Sequence, residues 1–185
     1  MASEQDDQKF SAPLMYAFRS AFDAGDSTKS VEIRDGGDRV LAGRRSSYRR
    51  GADETALRRD LVIDLVSLLN TIDLGSTEDL EDLDYVQKSI VNYGLYDVAH
   101  LTSEDKAVGE IGKDLAAAIA HYEPRLRTET LAVERDAQFD DVDQKVRFLV
   151  SAEMVCAPLD VPVEFIADVD TSTGKISLTK LAMLK

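Results

Sequence analysis

A chain of 185 residues, 44% of them apolar, is long enough to bury one ordinary core and still carry polar extensions. Its formal charge of −13 sets most of the surface against a phosphate backbone, which argues against general nucleic-acid binding. No run reaches the roughly 18–20 uncharged apolar residues of a membrane span, and the acidic start MASEQDDQKF lacks the basic-then-apolar order of a signal peptide, so the chain is expected in the cytoplasm and not embedded in a membrane.

Residues 1–12 are polar and read as a loose terminus. Pro13 suits the first turn of a short helix over 13–24, with Leu14, Ala17, Phe18, Ala21 and Phe22 on one face. Over 25–52 glycine, serine, aspartate and arginine dominate, interrupted by the apolar pair Val40 and Leu41, and this reads as a linker. Between Arg34 and Arg59 eight arginines stand against four acids. That stretch is either an electrostatic arm for an acidic partner or a solvated segment balancing the chain's own acids.

The main domain is expected over 53–185. It opens with a helix capped by Asp53, whose stripe of Leu57, Leu61, Leu65, Leu68 and Leu69 stops at Asn70. Asp73 to Asp84 then holds six acids and no base, a solvated loop or docking surface. Tyr85, Val86, Ser89, Ile90 and Tyr93 mark a third helix closed by Gly94, a residue free to adopt positive φ. A fourth begins near Thr102, a capping hydroxyl, and carries Val108, Ile111, Leu115, Ile119 and Tyr122 on one face.

Beyond Pro124 the period changes from helical to alternating. Leu126 to Val133 is a weak strand candidate. Val146, Phe148, Val150, Ala152 and Met154 alternate with more polar neighbours, and Val163, Phe165, Ala167 and Val169 repeat the pattern. Asp170 to Gly174 supplies turn chemistry before a last strand at 175–179, making a hairpin. The expected fold is α+β: about four N-terminal helices packed on a small antiparallel sheet of three or four C-terminal strands.

Catalytic and metal chemistry finds little foothold. His100 and His121 have no Cys, His or acid at ligand spacing, so neither a metal nor a cofactor is expected. Gly36-Gly37 lacks the flanking strand and helix of a phosphate loop, and no G-x-S-x-G elbow singles out a serine. Cys156, the one cysteine, sits among Met154, Val155, Ala157 and Leu159 and reads as a small buried hydrophobe.

The junction Tyr122-Glu123-Pro124-Arg125-Leu126 stands out. Pro124 disfavours helix in the residue before it, so Glu123 falls at the negative end of the helix dipole, where an acid costs roughly 0.3–1 kcal/mol. Arg125 is the nearest compensating charge, and proline between them makes a rigid corner. Either the two charges tie the helix end to the next strand, or the corner is a plug for a partner protein. A third use, Glu123 as the acid of a peptidoglycan hydrolase, is opposed by Arg125, which lowers the carboxyl's pKa.

Three stretches in order, Leu68-Leu-Asn-Thr71, Ser89-Ile-Val-Asn-Tyr-Gly-Leu95 and Tyr122-Glu-Pro-Arg-Leu126, resemble the TssE family of type VI secretion baseplate subunits, relatives of phage tail wedge proteins with an old lysozyme label. The likeness is read over about residues 13–180, with the arginine-rich segment variable. It implies a non-enzymatic role in a baseplate at the cytoplasmic face of the inner membrane. Glu123, Pro124 and Arg125, flanked by Tyr122 and Leu126, would dock into the wedge subunits TssF and TssG. The sheet edge from 146–155, 163–170 and 175–181 would start the contractile sheath of TssB and TssC by strand addition. The chain departs from the family where Ile72 and Asp73 replace arginines, where Tyr96 replaces proline, and where Tyr122 replaces phenylalanine.

Overall fold

The computed structural model describes residues 9–23, 25, 33–35, 38–40, 51–99, 105–136 and 145–180. The chain divides into two compact units, Met1–Leu61 with Cys156–Leu159, and Val62–Val155 with Asp160–Lys185. The class is α+β as expected, with four α-helices and a four-stranded antiparallel sheet formed by the C-terminal strands among the described residues.

In the first unit, α1 (Leu14–Asp23) starts after Pro13, whose carbonyl accepts the Tyr16 N–H at 3.0 Å. Its apolar face is not a core face: no residue of α1 is buried, and Leu14, Phe18 and Phe22 are exposed. Polar ties replace packing, with Arg19 donating to the Asp60 carbonyl at 3.1 Å and Arg59 reaching Asp23 at 3.5 Å. Inside the expected linker two three-residue strands, β1 (Ile33–Asp35) and β2 (Asp38–Val40), pair antiparallel. Phe10 and Ala52 exchange backbone hydrogen bonds of 2.9 Å in both directions. Cys156 is only partly buried between exposed Val155 and Leu159, so the expected buried thiol is corrected.

The helix α2 (Glu54–Leu69) is capped as its sequence requires, with Asp53 Oδ1 accepting the Ala56 N–H at 2.6 Å. All five leucines of its stripe are buried, each contributing on the order of 2 kcal/mol of transfer free energy. Arg58 and Arg59, two of the eight arginines of the stretch read as an arm or a solvated segment, belong to this helix; Arg58 pairs with Glu54 at 2.7 Å. Arg44, Arg45, Arg49 and Arg50, like the expected cap Thr102, lie outside the described residues.

In the second unit, β3 (Ala132–Arg135), β4 (Lys145–Met154), β5 (Val161–Asp170) and β6 (Ile176–Lys180) form a meander in chain order. The alternation fixes which face is buried. Val146, Phe148, Val150, Ala152 and Met154 of β4 and Val161, Val163, Phe165, Ala167 and Val169 of β5 all point into the core. Between the inward positions, Arg147 lies directly opposite Asp168 and pairs with it at 2.6 and 3.1 Å. The β5–β6 turn is held by Asp170, whose Oδ1 accepts the Ser172 and Thr173 N–H groups at 2.9 and 3.1 Å, with Gly174 at φ 69°.

The helix α4 (Asp105–Tyr122) buries Val108, Ile111, Leu115, Ala118 and Ile119. Gly112 lets it approach the sheet, since a Cβ there would stand 3.0 Å from the Phe148 ring. The expected third helix is broken. Residues 84–87 form one turn, α3 (Asp84–Gln87), and Ile90–Asn92 form a separate 3-10 turn. Ser89 is the cause: its hydroxyl donates to the Val86 carbonyl at 2.9 Å and accepts the Val91 N–H at 3.2 Å, offering the backbone an alternative to helix. Tyr85, Ile90 and Val91 are therefore exposed instead of forming a packed face.

Candidate functional site

The corner after α4 is a hydrogen-bonded turn with proline at its second position. Glu123 still donates its N–H to Ile119 at 2.9 Å, and its own carbonyl accepts Leu126 N–H at 3.1 Å, closing a turn over Pro124 and Arg125. The chain then runs onto the end of β4: Val155 donates to the Arg125 carbonyl at 2.7 Å and Arg127 to the Glu153 carbonyl at 2.9 Å. Leu126 is buried and Pro124 is exposed.

Glu123 is 5% exposed and Arg125 grips it from both sides. Arg125 Nε reaches Glu123 Oε1 at 2.6 Å and its terminal nitrogen reaches Oε2 at 2.5 Å, a two-point fork that lysine could not form. The Arg125 N–H adds a third contact at 3.2 Å. The same guanidinium nitrogen reaches Asp64 Oδ2 at 2.6 Å, tying the corner to the C-terminal half of α2. Burial depresses the Arg125 pKa, but hydrogen bonds and charges of Glu123 and Asp64 more than offset it and the net shift is upward.

Tyr122 turns inward as well. Its hydroxyl donates toward the carbonyls of Asn92 at 2.6 Å and Ser89 at 3.2 Å, and its ring meets Tyr93 edge-on at 5.3 Å between centroids. The hydroxyl that separates this residue from phenylalanine thus has a structural task. Leu95 donates to the Thr71 carbonyl at 2.8 Å and accepts Asp73 N–H at 3.0 Å, so the stretches 68–71, 89–95 and 122–126, remote in sequence, meet in one connected region. Asn70 completes it by mimicking a strand: its side chain donates to the Ile176 carbonyl at 2.8 Å and accepts the Ile176 N–H at 3.0 Å.

A sequence profile described as baseplate wedge protein gp25 matches residues 55–159, more than half of the chain. The chain belongs to the baseplate wedge protein gp25 family. No curated protein and no solved structure gives a significant match. The gp25 match contains all three converging stretches and β4, whereas β5 and β6 fall outside it, so it is shorter than the 13–180 expected from the motifs. Among the described residues of this gp25-family chain, no helix is long and apolar enough to cross a membrane.

Sequence reasoning missed Asp64 and the inward use of Asn70. Asp64 is three residues from Leu61 and next to Leu65, so its position beside the buried stripe was the available signal. A further acid, Asp114 of α4, is pushed above its ordinary value by burial first and then by Glu110 and Asp73. A carboxyl raised in the folded state favours folding below its unfolded pKa, and that contribution is lost as pH rises through the folded value. Asp114→Asn is therefore expected to raise Tm at about neutral pH, with the gain shrinking in a pH series as pH falls through the raised folded value and gone below the ordinary 3.8.

Proposed function

We propose that the chain is a non-enzymatic wedge subunit of a type VI secretion baseplate, assembled at the cytoplasmic face of the inner membrane. The observation that carries the reading is the two-point Glu123–Arg125 grip, which makes the corner a fixed shape instead of a free acid. Its outward parts are Pro124, the open side of Arg125 and Asp64, and these are the surface offered to the wedge subunits TssF and TssG. Tyr122, Glu123 and Leu126 hold that surface from within.

The sheath subunits TssB and TssC are proposed to begin on the side of β6 away from β5, an edge of the sheet among the described residues. Asn70 bonds both backbone groups of Ile176, which therefore face away from β5, and the pleat turns those of Leu178 and Lys180 the same way. Asn70 closes the first rung, and an incoming strand would pair from Leu178 onward. Proline at an edge removes one outward donor while leaving the inner ladder in place. Leu178→Pro is expected to abolish sheath polymerisation in cells while the purified variant still melts cooperatively; sheaths of normal number and length in that strain would refute the edge assignment.

A further inference from the structure

We propose that the grooved surface around Tyr96 is a second docking site, for a partner segment that presents arginine or lysine beside aliphatic side chains. Tyr96 is 49% exposed and borders three hollows of about 420, 270 and 190 Å³. An aromatic ring standing between concavities is the kind of anchor around which protein interfaces concentrate their energy. Ile72, 58% exposed, lines the middle hollow beside it.

Charge selects the occupant. Glu78, Asp79 and Glu81 line the largest hollow over buried Leu80, against Lys88 alone among its lining cations. Asp73 and Asp114 line the smallest together with His121. Glu110 and Asp73 add to the burial that already disfavours the Asp114 carboxylate, so a cation arriving there relieves repulsion built into the free protein. Apolar contact is available alongside, because Tyr85, Ile90 and Val91 are exposed within the short turns that follow the acids. A nucleic acid or an anionic lipid surface would be repelled by the same carboxylates.

Fluorescence anisotropy of a labelled amphipathic leucine–arginine peptide, with a leucine–glutamate peptide as control, tests this on the full chain. The arginine peptide is expected to bind, and Tyr96→Ala and the pair Glu78→Lys/Glu81→Lys are each expected to weaken it by about tenfold or more. The pair Glu129→Lys/Glu164→Lys, an equal charge change at exposed positions elsewhere, is expected to weaken it by less than about twofold. Glu78 and Glu81 are exposed, so that variant keeps the test decisive even if Tyr96→Ala fails to fold. Equal losses from both charge pairs, no binding of the arginine peptide, equal binding of the glutamate peptide, or self-association of the chain that Tyr96→Ala abolishes would each overturn the proposal.

Discussion

Arg125→Ala is expected to cost about 3 kcal/mol of stability, read as a fall in the urea midpoint at neutral pH with the slope unchanged. The variant leaves the Glu123 carboxylate 5% exposed without the guanidinium that met both its oxygens at 2.6 and 2.5 Å, and it severs the 2.6 Å tie to Asp64. Breaking a buried pair from one side costs about 3–5 kcal/mol; the Arg125 side chain keeps 21% of its exposure, so water softens the loss toward the lower end. Removing both charges with Glu123→Gln/Arg125→Met is expected to cost less than half as much, because no bare carboxylate remains buried. If Arg125→Ala changed stability by less than about 0.5 kcal/mol, the pair would not be the brace that the geometry describes.

Gly94→Ala is expected to be harsher still, on the order of 4 kcal/mol or more, enough to leave little folded protein. Gly94 has φ 144°, and a Cβ there would lie 2.4 Å from the Thr71 carbonyl oxygen and 2.8 Å from the Asp73 nitrogen. Both neighbours are backbone, and both belong to the two hydrogen bonds that join Leu95 to the stretch 71–73. Neither can move without giving up that bridge. Gly109→Ala is the matched control: nothing lies within 4 Å of its missing Cβ, it sits inside α4, and the change is expected to stabilise by about 0.5–1 kcal/mol. Thermal melts of the two variants in parallel separate backbone crowding from simple glycine replacement.

The sheet was legible because its signal is local and strict. A one-residue slip along Val146–Met154 would turn Phe148 and Val150 to water, so the alternation alone fixed the buried face. The leucine stripe and the Asp53 cap of α2 were legible for the same reason. What stayed hidden depends on partners far along the chain. Asn70 reads as a helix stop, yet its amide serves Ile176, 106 residues away. Asp64 looks like one solvated acid among many until the turn at Pro124 brings Arg125 to it. The 85–93 segment has helical spacing, but Ser89 supplies a competing hydroxyl that the period does not weigh. Spacing also cannot tell a core face from a surface one, as exposed Leu14, Phe18 and Phe22 of α1 show.

At the corner, the structure shows the charges tying the helix end within the fold, and the plug for a partner is our proposal. Glu123 and Arg125 satisfy one another inside the fold, so what the corner offers outward is chiefly shape, with Pro124 at its tip. The most direct measurement is co-purification of the chain with the proposed partners TssF and TssG when that tip alone is altered. Pro124→Glu places an unwanted charge at an exposed position while leaving the residues of the Glu123–Arg125 grip in place, and loss of the proline is expected to lower Tm by no more than about 4 °C. The folded variant is expected no longer to co-purify with the wedge subunits. Retention of the variant at parental stoichiometry would contradict the proposed docking.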